Sequence, residues 1–317
     1  MSHNNHIMID RQTKVFQVVS PHAWVGQTIT DTLAQAGQPS IWEIRSYNGL
    51  APVEHIGQAD GLWIAPGLLI AHQSWLQTQC RQPLHLPAPS PYWLSQLASS
   101  APTLAGRQVC VAPVSEIASW KHLPEEVGNQ PWSQLAQGRV TAFRAARRNL
   151  EQLQKDVSHA PADSLIQLSS QVESITEEWR VVVAGGLPVA TSGYCVHQPA
   201  GSQQVTSIFD GAPFLDTNRN KVEEVALQVA QITGLQNATL DLAFTEDHRK
   251  GQPIVLECNP LWCSAAYDYG ATGMEAFVNA VSSSQHTATT LNEHNWQPDP
   301  WMVQEFAHRY ASFLNDR

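Results

Sequence analysis

The run Thr239-Leu-Asp-Leu-Ala-Phe is followed, after a polar loop, by Ile254-Val-Leu-Glu-Cys-Asn-Pro. Apolar and polar residues alternate in both runs, and this period of two predicts the paired strands of a β-hairpin. If Phe244 lies opposite Ile254, the register gives four further pairs: Leu242 with Leu256, Asp241 with Glu257, Leu240 with Cys258, and Thr239 with Asn259. One face of the hairpin is then apolar, and the other face carries Asp241, Glu257 and Asn259.

Two carboxylates that face each other across a strand pair repel and destabilise the hairpin. A hard cation between Asp241 and Glu257 removes that cost, and the amide oxygen of Asn259 is a suitable third ligand. The arrangement favours Mg²⁺ held by one or two carboxylates and by phosphate groups. The alternative is a solvated polar face without a metal. It fits less well, because Ala243 and Val255 are expected on the same face.

The composition is that of a globular protein. The chain has 317 residues, 43% of them hydrophobic and 15% charged, which is enough for two domains with their own cores. A net charge of −10 argues against a general nucleic-acid or anionic-membrane surface, although it permits a local basic site for ATP. No apolar run is long enough to predict a transmembrane helix.

The five cysteines show no zinc-ligand spacing, and their odd number without a signal peptide predicts reduced thiols and a cytoplasmic location. The thirteen histidines contain no HExxH pair, so none is assigned a ligand role. The oligomeric state is left open.

The first 105 residues predict a small α/β domain. Strands are expected at 14–19, 40–45 and 61–65, the last ending at Pro66-Gly67, and a helix at 26–36. A second domain is expected over residues 106–284. It includes a Gly185-Gly186 hairpin turn and an amphipathic helix that begins at Asp216. Residues 285–317 form a polar tail with three candidate anchors, namely Trp296, Trp301 and Phe306.

Five pieces follow one another along the second domain. They are Leu168-Ser-Ser-Gln-Val-Glu, Glu178-Trp-Arg with its Gly-Gly turn, the amphipathic helix, Asp241 in a strand, and Leu256-Glu-Cys-Asn-Pro-Leu-Trp-Cys-Ser-Ala-Ala-Tyr. In this order the segment from about Leu165 to Val281 resembles the ATP-grasp superfamily. The front segment, through Trp93-Leu-Ser-Gln-Leu and Gly106-Arg107, is similar to stand-alone ATP-grasp proteins.

The resemblance implies an α+β fold, the two-lobed ATP-grasp nucleotide-binding fold, preceded by the small α/β domain. It implies an ADP-forming carboxylate–amine ligase that uses ATP and Mg²⁺ and passes through an acyl phosphate. The generic substrate is a small molecule or peptide, such as an amino acid.

The resemblance also implies roles for individual residues. Asp241, Glu257 and Asn259 would bind Mg²⁺. Arg180 would be catalytic and contact phosphate or the acyl phosphate, the alternative being a sheet-face arginine paired with Glu178 or Glu257. The backbone of an interlobe hinge would meet adenine, and this hinge consists of Ser169, Ser170, Gln171, Val172 and Glu173.

The chain departs from the family pattern where the first lobe supplies lysine. Val109-Cys-Val-Ala-Pro has Ala112 in that place, and Lys121 is the candidate phosphate ligand, the alternative being a solvated loop lysine. Arg107, Arg144 and Arg147 are further cationic candidates. This gap keeps a second function open, a non-catalytic relative that binds nucleotide or protein. A phosphotransferase on the same fold is the third.

Overall fold

A computed structural model describes residues 13–37, 39–197, 205–207, 214, 216–245, 251–286 and 293–309. The strands in these ranges are β1 Lys14–Ser20, β2 Trp42–Asn48, β3 Gly61–Ile64, β4 Pro87–Pro89, β5 Val109–Pro113, β6 Trp132–Leu135, β7 Ala146–Arg147, β8 Leu165–Ser169, β9 Ile175–Ala184, β10 Leu187–His197, β11 Val205–Ser207, β12 Ala238–Thr245, β13 Ile254–Asn259 and β14 Glu293–Asn295. The helices are α1 Trp24–Ala34, α2 Pro66–Thr78, α3 Trp93–Ser100, α4 Pro102–Ala105, α5 Val114–Ile117, α6 Leu150–Asp156, α7 Asp216–Thr233, α8 Gly270–His286 and α9 Pro300–Arg309.

The N-terminal part of the chain forms a three-stranded parallel sheet. Its strand order is β2-β1-β3, and α1 connects β1 to β2, which confirms the predicted βαβ start. Pro66-Gly67 ends β3 as expected, but it also begins α2, a helix that the sequence analysis missed. Proline suits the first turn of a helix because it has no N–H to leave unpaired there.

Two antiparallel sheets follow and form the two lobes. The first lobe contains four strands in the order β5-β8-β6-β7, and the second contains five in the order β11-β10-β9-β12-β13. Gly185 and Gly186 have φ of +59° and +76°, which is the backbone of a tight hairpin turn, and they join β9 to β10 as predicted.

The second-lobe sheet is covered differently on its two faces. Val222, Val225 and Val229 of α7 pack on one face, against side chains such as Leu240 and Leu242 of β12. On the opposite face, α8 packs against β9 and β10 and also contacts β3 and α1. This helix therefore joins the N-terminal unit to the second lobe, and the rest of the face is left for a cleft.

The β12–β13 hairpin is present, and part of its predicted register is correct. Asp241 lies opposite Glu257, and the two pairs nearer the end of β13 also match. The predicted pairs of Phe244 with Ile254 and Leu242 with Leu256 are wrong. Leu242 pairs with Val255, because Leu256 is the extra residue of a β-bulge.

The C-terminal segment docks on the first lobe and on α2. Trp296 packs against Trp262 with ring centroids 5.2 Å apart, and Trp301 packs against Phe143 at 5.4 Å. Asp299 accepts a hydrogen bond from the backbone N–H of Leu165, at the start of β8. Both tryptophans are buried, as expected for anchors.

No helix within the described ranges combines the length and the apolar composition that crossing a bilayer requires.

Gly106, between α4 and β5, generates a test of this packing. It has φ of +63°, and a Cβ there would lie 2.4 Å from Cγ2 of buried Ile254. Gly106→Ala is expected to lower the free energy of unfolding by about 2 to 4 kcal/mol, from backbone strain and overpacking together. Gly37→Ala is the matched control, because Gly37 has φ of +66° with no neighbouring atom within 4 Å. Urea unfolding should show a loss of about 1 kcal/mol for this control, and equal losses would refute the packing contact.

Candidate active site

A cleft of about 590 Å³ lies between the two antiparallel sheets. The first lobe contributes Gln134 and Gln167, which are opposite each other in the β6–β8 ladder. The second lobe contributes Arg180, Asp241 and Glu257, and the connection between the lobes lines one side at residues 169–172. This space is called the interlobe cleft below.

Arg180 and Asp241 form a bidentate ion pair in the cleft wall. They are directly opposite in the β9–β12 ladder, with Nε of Arg180 2.6 Å from Oδ1 and Nη2 2.7 Å from Oδ2. Arg180 is 8% exposed and Asp241 is 3% exposed. Burial acts to lower the pKa of Arg180, but the carboxylate of Asp241 raises it well above the ordinary value. The sequence analysis considered Glu178 and Glu257 as partners of Arg180, whereas the actual partner is Asp241.

Asn259 connects the two carboxylates of the predicted metal site. Its Nδ2 donates to Oδ2 of Asp241 at 3.1 Å and to Oε2 of Glu257 at 3.4 Å. Glu257 has a partly exposed side chain, and its Oε2 is 3.9 Å from Nη2 of the exposed Arg139. The three residues predicted as metal ligands are therefore together, and Arg180 compensates the charge of one of them.

Arg107 stabilises the bulged part of β13. Its Nη1 donates to the carbonyl of Val255 at 2.7 Å and its Nη2 to that of Leu256 at 2.6 Å. Burial lowers the pKa of Arg107 to about 10, while nearby Glu257 acts in the opposite direction. Its N–H groups are thus used to pair backbone carbonyls next to the bulge.

Two tyrosines stack beside the ion pair. The rings of Tyr194 and Tyr267 are 4.9 Å apart and inclined by 10°, and Cζ of Arg180 lies 4.8 Å from the centre of the Tyr267 ring. Both phenols line the cleft, and burial raises their pKa. A guanidinium against an aromatic face gains a cation–π attraction that is largest where water is excluded.

Glu178 is the centre of a second polar network in the same wall. Its Oε2 accepts from the hydroxyl of Tyr194 at 2.6 Å, and its Oε1 is 2.5 Å from Nε2 of His197. Burial acts to raise the pKa of Glu178, but the bonds from His197 and Tyr194 outweigh burial and lower it. Sequence reasoning assigned no role to His197.

The predicted hinge residues Ser169, Ser170, Gln171 and Val172 line the cleft, and Ser170 exchanges hydrogen bonds with the backbone of Gln108. Glu173 lies next to them and is mostly exposed, 3.8 Å from Arg147.

Lys121 is exposed and is not part of the described cleft lining, where the cations are all arginines. They are Arg107, Arg139, Arg147 and Arg180. Arg139 was not considered from the sequence, and only its proximity to Glu257 in the fold distinguishes it. Arg144 lines an adjoining cavity of about 440 Å³, which shares Arg139 and Glu257 with the interlobe cleft.

A family model described as an ATP-grasp domain, clade family 3, matches residues 89–281. The chain belongs to the ATP-grasp superfamily. The matched range covers both lobes and the hinge, so the two-lobed α+β fold expected from the resemblance is confirmed.

Solved structures similar to this ATP-grasp chain include D-alanine–D-alanine ligase from Bacillus anthracis, with 8% identity, a TM-score of 0.49, and coverage of 86% of this chain and 97% of that one. The same enzyme complexed with ATP has 9% identity, a TM-score of 0.48, and coverage of 85% and 97%. The ATP-grasp ligase PsnB complexed with a minimal precursor has 14% identity, a TM-score of 0.46, and coverage of 86% and 99%. No curated protein sequence matches the chain.

The ion pair predicts opposite outcomes for two neighbouring carboxylates. Asp241→Asn leaves a buried guanidinium without its counter-charge and is expected to lower the free energy of unfolding by about 3 to 5 kcal/mol. Glu257→Gln alters a partly exposed group whose recorded ion pair, with exposed Arg139, is long, and is expected to change it by less than about 0.5 kcal/mol. Urea unfolding without nucleotide measures both values. A larger loss for Glu257→Gln than for Asp241→Asn would contradict this account.

Proposed function

We propose that this ATP-grasp chain is an ADP-forming ligase that joins a carboxylate to an amine, with an amino acid or peptide as substrate. One observation carries the proposal. A single cleft brings together the hinge at residues 169–172, the paired Arg180 and Asp241, and Glu257, with Asn259 hydrogen-bonded to both carboxylates. Nucleotide, metal and phosphate chemistry can then occur within one space.

In this proposal adenine lies against the hinge, where the backbone around Gln171 and Val172 is available to its polar edge. Trp132 supports this placement, because it lines the cleft and is 41% exposed, an unusual state for a large aromatic ring. A flat apolar surface of this kind suits stacking on a purine.

Arginines take the role that lysines were expected to play at the phosphates. Arg180 is held by two hydrogen bonds to Asp241, while its Nη1 has only a 3.5 Å contact with the carbonyl of Ala265. The guanidinium is therefore oriented in advance, and its remaining N–H groups can stabilise developing negative charge without reorganisation. Exposed Arg139 and half-exposed Arg147 supply further positive charge.

The side chains at the predicted metal site fit Mg²⁺ in a modified form. Asp241 already accepts bonds from Arg180 through both oxygens and from Asn259 through one, so we assign it to positioning. Glu257 and the amide oxygen of Asn259 remain as hard donors, and one or two protein ligands completed by phosphates are usual for this ion. When bound, Mg²⁺ neutralises charge on the nucleotide phosphates.

The reaction that fits this site has two displacements. An oxygen of the substrate carboxylate attacks the γ-phosphorus and ADP leaves, which gives an acyl phosphate. The amine then attacks the acyl carbon and phosphate leaves. In this scheme Arg180 contacts the transferring phosphoryl group, and the aromatic wall of Tyr194 and Tyr267 limits water beside it.

We retain the division into residues 1–105, 106–284 and 285–317 as part of the proposal, together with a cytoplasmic location. The free state of all five cysteines agrees with a reducing compartment.

A non-catalytic nucleotide-binding role is the second candidate. It is favoured by one observation, the lack of a lysine among the described residues of the cleft lining. Nucleotide binding without ADP release, in the presence of mixed amino acids and peptides, would select this candidate over the ligase.

Glu257→Gln tests the proposed metal and nucleotide site. Calorimetric titration of the wild-type chain with a non-hydrolysable ATP analogue should show binding that EDTA weakens. In the variant, Mg²⁺-dependent binding and ADP release should fall by about a hundredfold, since one charged ligand is lost, while the melting temperature without ligand stays unchanged. Absence of wild-type binding at millimolar nucleotide would refute both candidate functions.

Arg139→Ala and Lys121→Ala form a matched pair that decides which cation contacts phosphate. A hydrogen bond to a charged group contributes about 1.5 kcal/mol or more, so Arg139→Ala should raise the Kd for the ATP analogue about tenfold. Lys121→Ala removes an exposed charge outside the described cleft lining and should change the Kd by less than about twofold. The reverse result would support the lysine assignment implied by the resemblance.

A further inference from the structure

We propose that Glu178, Cys195 and His197 form a binding site for Zn²⁺ in the wall of the interlobe cleft. Their ligand atoms lie within 4.8 Å of one another. The site is separate from the proposed Mg²⁺ ligands, and the inference does not depend on the ligase reaction.

A β-bulge creates this site. Gly193 of β10 pairs with Trp179, and the next pair joins Cys195 to Glu178, so Tyr194 is the extra residue. Since side chains alternate between faces, regular pairing would place Tyr194 opposite Glu178 and turn Cys195 to the other face. The bulge brings Cys195 opposite Glu178, and His197, two residues further along, lies on the same face.

The distances suit a tetrahedral metal. With bonds of about 2.3 Å to sulfur and about 2.0 Å to nitrogen, a tetrahedral zinc site separates these two ligand atoms by about 3.6 Å. Sγ of Cys195 is 3.6 Å from Nε2 of His197. The 2.5 Å separation of Nε2 from Oε1 of Glu178 is a hydrogen-bonded distance, and it must widen to about 3.3 Å when an ion replaces the shared proton.

The three donors and their surroundings select a zinc-like ion. A thiolate, an imidazole and a carboxylate are characteristic zinc ligands, whereas Mg²⁺ takes oxygen donors alone. Tyr194 donates to the other oxygen of Glu178, which fixes the orientation of the carboxylate as an outer-shell partner does. The side chains of Glu178 and His197 are 18% and 29% exposed, so an ion can reach them.

Binding is a proton–metal exchange. Zn²⁺ forms bonds to Sγ of Cys195, Nε2 of His197 and Oε1 of Glu178, the thiol proton passes to solvent, and the hydrogen bond between His197 and Glu178 is lost. Three protein ligands leave a fourth position for water or a ligand atom. Because Glu178 also lines the cleft, occupancy of this site changes the charge of the cleft wall close to Arg180.

The test uses the full chain, freed of metal with EDTA and titrated with Zn²⁺ and separately with Co²⁺. The wild-type chain should bind one equivalent of Zn²⁺, melt at a higher temperature with it, and give a thiolate-to-cobalt absorption band with Co²⁺. Cys195→Ser should weaken Zn²⁺ binding by about a hundredfold or more and abolish the band. Cys80→Ser, which alters an exposed thiol elsewhere, should behave as wild type.

His197→Gln is the second variant, and it keeps the test decisive if Cys195→Ser does not fold. It should weaken Zn²⁺ binding while the metal-free chain melts as wild type does. Three results would overturn the proposal: no stoichiometric Zn²⁺ binding by the wild-type chain, a cobalt spectrum without the thiolate band, or equal affinity in wild type and a folded ligand variant. None of these results bears on ATP binding, so the two proposals fail independently.

Discussion

Removing a guanidinium and a carboxylate from water costs several kcal/mol for each ion, and the second lobe offsets this cost through the two short hydrogen bonds between Arg180 and Asp241. The pair can form only if β9 and β12 adopt the register that places the two residues opposite each other. A one-residue slip would leave both charges buried and unpaired. The same pair orients Asn259 and faces Tyr267, so the arrangement of the cleft wall depends on this register.

The ion pair also explains how two carboxylates lie opposite each other in the β12–β13 hairpin. Asp241 is compensated from inside the sheet, whereas Glu257 lies near the solvent with only a long contact to Arg139. The charges that would repel are therefore in different environments. The buried carboxylate serves structure and orientation, and the exposed one remains available for chemistry.

Alternation along the strands was sufficient to predict the hairpin and the pairing of Asp241 with Glu257, because a period of two fixes which side chains share a face. The extra residues of the bulges, Leu256 and Tyr194, leave that pattern intact and could not be predicted from it. The partner of Arg180 was missed for a related reason. Pairing between β9 and β12 joins segments far apart in sequence, and no local pattern specifies its register. The cation Arg139 became recognisable only when the fold brought it to Glu257.

The docking of the C-terminal segment has a consequence for the order in which the chain folds during synthesis. Trp301 covers Phe143, and Asp299 binds the N–H at the start of β8, so parts of the first lobe are completed by residues made more than a hundred positions later. Domains generally fold as they leave the ribosome, in N- to C-terminal order. Here the first lobe keeps an uncovered apolar surface until translation has almost ended, and its final compaction is a post-translational event.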